Sequence, residues 1–109
     1  MGIFKRFLSR RKEALTKKEA KRQELFLKIR ELLAKELEIG DIEKIQLTSK
    51  LQEDLGVESL HTIELVMAFE EAFNIDIPDE DTEKVLTVKE IVDYLEKKVQ
   101  EEHSKERSL

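Results

Sequence analysis

The 109-residue chain has no cysteine, so a disulfide framework, a thiol nucleophile and a cysteine-based metal site are all excluded. This absence is compatible with a reducing, cytoplasmic compartment. Proline occurs once and glycine three times, and β-branched clusters are few. With 41% of residues charged, this composition favours a small all-α protein over a sheet protein. No apolar run approaches the length of a transmembrane span. No uninterrupted apolar region and small-residue cleavage site follow the first basic residues, which argues against a secretory signal. A nucleotide-binding glycine loop is also missing. Length allows one domain with appendages, and a core of moderate size if most of the chain is helical.

Charge is present in quantity and unevenly placed. Residues 1–22 hold nine Lys/Arg against two Glu, a net of +7, which leaves eleven against twenty-three, a net of −12, for residues 23–109. An acidic body argues against nucleic acid as a ligand and favours partners with basic docking patches. In the basic piece Ile3, Phe4, Phe7, Leu8 and Leu15 recur at helical spacing among Lys5, Arg6, Arg10, Arg11 and Lys12, as in a short basic amphipathic helix. The Met-Gly start resembles a myristoylation signal weakly, because Arg6 stands where Ser or Thr is wanted. Three readings of residues 1–22 remain open: peripheral contact with an anionic membrane, docking on the acidic body or on another protein, or extension of the next helix.

That next helix is expected over residues 17–37, with Leu25, Ile29, Leu32, Leu33 and Leu37 as its apolar stripe, Arg30, Glu31, Lys35 and Glu38 facing water, and Gly40-Asp41 ending it. Residues 42–57 lack sustained periodicity but space Ile42, Ile45, Leu47, Leu51 and Leu55 so as to anchor a long loop. Loops of this length in small domains are usually functional. Residues 75–78 read as an extended link before Pro78. A short helix follows, with Asp79, Glu80 and Asp81 in its first turn and its end near Val85. Thr87-x-x-Glu90 is a capping box opening a last helix whose stripe is Val88, Ile91, Val92, Leu95 and Val99, with Tyr94 at its edge. The domain is thus bounded at 23–100, and a polar tail over 101–109 is expected to fray.

Ser59 stands where the long loop meets the most informative helix. Gly56 precedes it by three residues. First-turn N–H groups lack intrahelical partners and carry the positive end of the helix dipole, so a phosphoryl group on Ser59 would be well placed. Local sequence alone favours an ordinary serine N-cap over this reading. Behind it, residues 60–73 carry two stripes. Leu65, Ala68, Phe69, Ala72 and Phe73 suit a core, while Leu60, Ile63 and Met67 are interleaved with Glu64, Glu70 and Glu71. The second stripe reads either as a docking face for a basic-rimmed apolar groove or as a surface covered by the loop or the amino-terminal helix.

A catalytic set is not legible. His61 lies two positions from Ser59 and so points elsewhere on the helix, Lys50 and Lys84 are unconvincing bases, and the acidic clusters lack the geometry of a dedicated metal site. The residues favour a protein that works by being recognised, not an enzyme.

From about residue 25 to 98 the chain resembles bacterial acyl carrier proteins of type II fatty acid synthesis. The resemblance is carried by Glu53-Asp54-Leu55-Gly56-Val57-Glu58-Ser59-Leu60, by Thr62-Ile63-Glu64-Leu65-Val66-Met67-Ala68-Phe69-Glu70-Glu71, and by Ile77-Pro78-Asp79-Glu80-Asp81. It implies a four-helix bundle of three longer helices and one short, here preceded by the extra basic helix. It also implies that Ser59 carries 4′-phosphopantetheine, transferred from coenzyme A by a phosphopantetheinyl transferase, and that acyl groups ride as thioesters on the arm's thiol. Leu51, Phe69, Ile77, Val85 and Ile91 would line the acyl-chain cavity. Glu58, Leu60, His61, Ile63, Glu64, Met67, Glu70 and Glu71 would meet the enzymes of fatty acid synthesis.

Two positions depart from the family pattern: Glu58 replaces the usual Asp before the serine, and His61 stands where an acid is common. With the basic extension, they leave room for a specialised carrier of polyketide, D-alanyl or lipid-modifying acyl groups. They also leave room for an unmodified structural or regulatory interaction protein.

Overall fold

A computed structural model describes residues 16–107, with side chains described for residues 16–102. The expected basic helix, and with it the myristoylation and membrane readings, lies mainly outside the described residues. The fold is the all-α arrangement expected, three longer helices and one short: α1 (Lys17–Glu36), α2 (Ser59–Phe73), α3 (Asp79–Thr82) and α4 (Val88–Arg107). A single turn of 3₁₀ helix (Ile42–Lys44) interrupts the first loop.

Helix α1 starts where Thr16 accepts the Glu19 N–H through its hydroxyl at 3.1 Å, a side-chain N-cap. It runs unbroken across residue 22, where the basic composition gives way to the acidic. Arg22 pairs with Asp93 at 2.7 Å and with Glu96 at 3.0 Å, tying α1 to α4. Arg30 does not simply face water as expected, since its guanidinium lies over the Phe26 ring, 5.3 Å from the centroid.

Gly40 does not end α1. Glu38 takes the left-handed conformation at φ 55°, its N–H reaching the Lys35 carbonyl at 3.4 Å and the Ile39 N–H reaching Ala34 at 2.9 Å. This is a Schellman closure without glycine. Ile39 packs against the core in the apolar contact that accompanies such closures, which explains why a strained glutamate is tolerated there.

One core joins all the pieces. Ile29 and Leu33 of α1, Leu65 and Phe69 of α2, Ile75 and Ile77 of the link, and Val88, Ile91, Val92 and Leu95 of α4 are buried together with Ile45 and Val57 from the loop. The loop is held by backbone as well as side chains. Leu51 donates to the Leu86 carbonyl at 3.0 Å, Val88 to Ser49 at 3.0 Å and Lys89 to Leu47 at 2.9 Å, around an isolated antiparallel bridge between Lys50 and Thr87. Ser49 is buried because its hydroxyl accepts the Gln46 N–H at 3.0 Å and donates to the Lys44 carbonyl at 3.3 Å.

The carboxy-terminal half departs from expectation twice. Helix α3 stops at Thr82, short of Val85. Helix α4 opens as expected, with the Glu90 N–H donating to the Thr87 hydroxyl at 3.2 Å, but its backbone stays helical to Arg107 instead of fraying near Gln100. Residues 101–107 contain no Gly or Pro and are rich in Glu, Lys and Arg, which propagate a helix readily.

Leu33→Ala, at a fully buried position, is expected to destabilise the protein by about 2–5 kcal/mol. Leu27→Ala on the exposed face of α1 should change stability by less than about 0.5 kcal/mol. Equal shifts in urea unfolding would contradict this assignment of faces.

Candidate functional site at the start of helix α2

The approach to Ser59 is built by a compact turn. Lys50 donates its N–H to the Asp54 carboxylate at 2.7 Å, while the Asp54 and Leu55 N–H groups return to the Lys50 carbonyl at 2.9 and 3.1 Å. Gly56 then adopts φ 68°, a conformation that side chains other than glycine resist. Val57 follows, buried, with its N–H on the Leu51 carbonyl at 2.8 Å. The chain thus enters α2 from a fixed point.

Ser59 is the first residue of α2, and Glu58 occupies the N-cap position. The N-cap reading of the serine is therefore replaced. The Glu58 N–H donates to His61 Nδ1 at 3.2 Å, closing a capping box, and the Glu58 carbonyl accepts from the Thr62 N–H at 3.0 Å and its hydroxyl at 3.2 Å. With capping done by its neighbours, Ser59 is exposed, and among the described residues none hydrogen-bonds its hydroxyl.

Helix α2 divides as its sequence suggests. Leu65 and Phe69 face the core, whereas Leu60, Ile63 and Met67 are 65%, 60% and 63% exposed, so neither the loop nor α1 covers the second stripe. Glu58, Glu64 and Glu71 are exposed beside them and His61 is half-buried. Glu70 differs from expectation: its carboxylate accepts the Ile77 N–H at 3.0 Å and so braces the link to α3. Leu86, 62% exposed just before α4, adds an apolar side chain that helical periodicity did not single out because it lies between helices.

Behind α2 lies a cavity of about 90 Å³. Leu51, Phe69, Ile77, Val85 and Ile91, the five residues expected to line an acyl cavity, all border it, together with Val57, Thr62, Leu65, Val66, Asp81, Thr82, Tyr94 and Leu95. Tyr94 was expected only at an edge. Its hydroxyl donates to Asp81 at 2.6 Å, pinning the four-residue α3 onto α4 across the cavity wall. Burial, and then the hydrogen bond and negative charge of Asp81, push the Tyr94 phenol well above its usual range. The available signal was a lone phenol one helical turn after Ile91, facing a cluster of acids. Among the described residues no group of three His, Cys, Asp or Glu could hold a metal, and no helix is long and apolar enough to cross a membrane.

A family model described as the phosphopantetheine attachment site matches residues 27–95. The chain belongs to this family. The matched span runs from within α1 into α4 and so contains the whole core. Phosphopantetheine attachment domains are carriers that receive 4′-phosphopantetheine from a phosphopantetheinyl transferase and meet acyl-handling enzymes. The local chemistry fits such a group: an exposed hydroxyl, its place in the first turn of a helix whose dipole favours a phosphate, and an apolar cavity lined in part by the residues that follow the serine.

The Tyr94 shift has a pH consequence. The folded state favours the neutral phenol, so its stabilising effect is complete below the unfolded-state value of about 10 and is lost as pH rises above it. Tyr94→Phe is expected to cost about 1 kcal/mol at neutral pH and to flatten the fall in stability above about pH 10. Urea unfolding of both proteins from pH 7 to 11 checks this, and parallel curves would contradict it.

Proposed function

We propose that this phosphopantetheine carrier holds acyl intermediates of cytoplasmic fatty acid biosynthesis on an arm attached to Ser59. The observation that carries the reading is an uncapped, exposed serine hydroxyl at the first position of a helix whose next turns line an apolar cavity. Ser59 supplies the oxygen that becomes esterified to phosphate, and the positive end of the α2 dipole favours the anionic ester. The bound arm supplies the thiol to which an acyl group is joined as a thioester. Everything else asked of the chain is presentation and shelter.

The acyl part of the cargo would lie against this apolar cavity, which α3 borders and the Tyr94–Asp81 bond and the Glu70 brace hold in place. Leu60, Ile63 and Met67, rimmed by Glu58, Glu64 and Glu71, form the surface offered to basic-patched enzymes, with encounters steered by charge. Glu58, which departs from the family pattern before the serine, favours partner enzymes dedicated to this carrier, and a polyketide, D-alanyl or lipid-modifying cargo would use the same serine.

Incubation of the full chain with coenzyme A and a promiscuous phosphopantetheinyl transferase should raise its intact mass by one phosphopantetheinyl group. Ser59→Ala should abolish the gain. No gain in the unaltered protein would make it an unmodified interaction protein, and a gain surviving the substitution would move the attachment elsewhere.

Met67→Ala and Glu64→Lys should each reduce acyl transfer to a partner enzyme about tenfold while changing thermal stability by less than about 0.5 kcal/mol. Loss of stability in step with transfer would make Met67 a core residue.

A further inference from the structure

His61 has a bond that the carrier reading does not require. Its ring Nδ1 accepts the Glu58 N–H at 3.2 Å, reaching back from the third helical position to the cap. Glu or Gln ordinarily stands at that position of a capping box. The bond spans Ser59, joining the residue before the serine to the residue two after it. Nδ1 thus stands where a Glu or Gln oxygen would ordinarily accept, and the Glu58 side chain accepts the His61 N–H in the other half of the box.

The rest of the junction makes this bond consequential. Gly56, at φ 68°, gives the entering chain backbone freedom that a side chain would deny. Val57 is fixed by burial and Thr62 by its two bonds to the Glu58 carbonyl. The Glu58 N–H to His61 bond closes the remaining side, so that Glu58 stays extended at φ −106° and the helix begins at Ser59 and not one residue to either side. Were the serine to take over the cap, its hydroxyl would turn toward the backbone N–H groups and away from an incoming reagent.

We propose that His61 is a positioning residue for loading of Ser59. Its imidazole holds the Glu58 N–H, sets the start of α2, and so keeps the serine hydroxyl uncommitted and presented to the transferase. This inference rests on the carrier reading above. It assigns His61 an intramolecular role in place of the enzyme contact suggested by its position in the motif.

Full-length His61→Ala, which removes the acceptor, and His61→Gln, which keeps one at the same helical position, separate the two roles. Initial rates of loading by a phosphopantetheinyl transferase and coenzyme A are followed by intact mass, and exchange of the Glu58 amide is followed by NMR. Loss of a cap worth about 1 kcal/mol corresponds to about a fivefold change. His61→Ala should lower kcat/KM by about that factor and speed exchange at Glu58 by a similar one, with the far-ultraviolet circular dichroism unchanged. His61→Gln should restore both to within about twofold of the unaltered protein. Equal loading by all three proteins would overturn the inference, as would equal impairment of both variants, which would make His61 an enzyme contact. Absence of any mass gain in the unaltered protein would bring down the carrier reading itself.

Discussion

A loop that dips into a core must find partners for its own backbone, and the pairing of residues 47–51 with 86–89 is how this chain does it. Three hydrogen bonds of 2.9–3.0 Å flank the bridge between Lys50 and Thr87, and the amides of the buried Ile45, Ser49 and Val57 are met within the loop by the Ile42, Gln46 and Leu51 carbonyls. The same pairing fixes the entry to α2 relative to the start of α4. The position of Ser59 and the walls of the cavity both depend on it, since Leu51 and Val57 line that cavity and Val57 bonds back to Leu51.

From that anchor the two faces of α2 take up separate tasks. Leu65 and Phe69 contribute to folding by leaving water, on the order of 1.5–3 kcal/mol for a fully buried side chain. Leu60, Ile63 and Met67 keep most of their apolar surface exposed, and that unburied area becomes available to a partner. Glu70 lies on the boundary and turns inward to the Ile77 amide, which shows how one carboxylate can leave a charged row when a backbone donor lies within reach.

The cavity is a local concession in packing. Its walls are made by side chains from the first loop, α2, the link and α4, and its outer edge by Asp81 and Thr82 of the four-residue α3 with Val85 after it, held through Asp81 by the Tyr94 hydroxyl. A helix this short has little stability of its own. The element at the edge of the cavity is thus the one with the fewest intrinsic ties.

Much of this was legible in the residues themselves. Helical periodicity located the buried stripes of α1, α2 and α4, the second stripe of α2, whose exposure the fold then decided, and the Thr87 capping box, because each depends on neighbours three or four positions away. The motif around Ser59 pointed to the attachment family, and the five cavity positions implied by that resemblance do border one cavity. Tertiary structure decided the rest. That Glu58 and not Ser59 caps α2, that Glu38 and not Gly40 reverses the chain, that Glu70 faces inward and that Tyr94 pins Asp81 all turn on which donor meets which acceptor once the helices have packed. Spacing along one helix specifies which face a side chain shares, whereas a hydrogen bond between segments requires a distance, and only the folded core sets it.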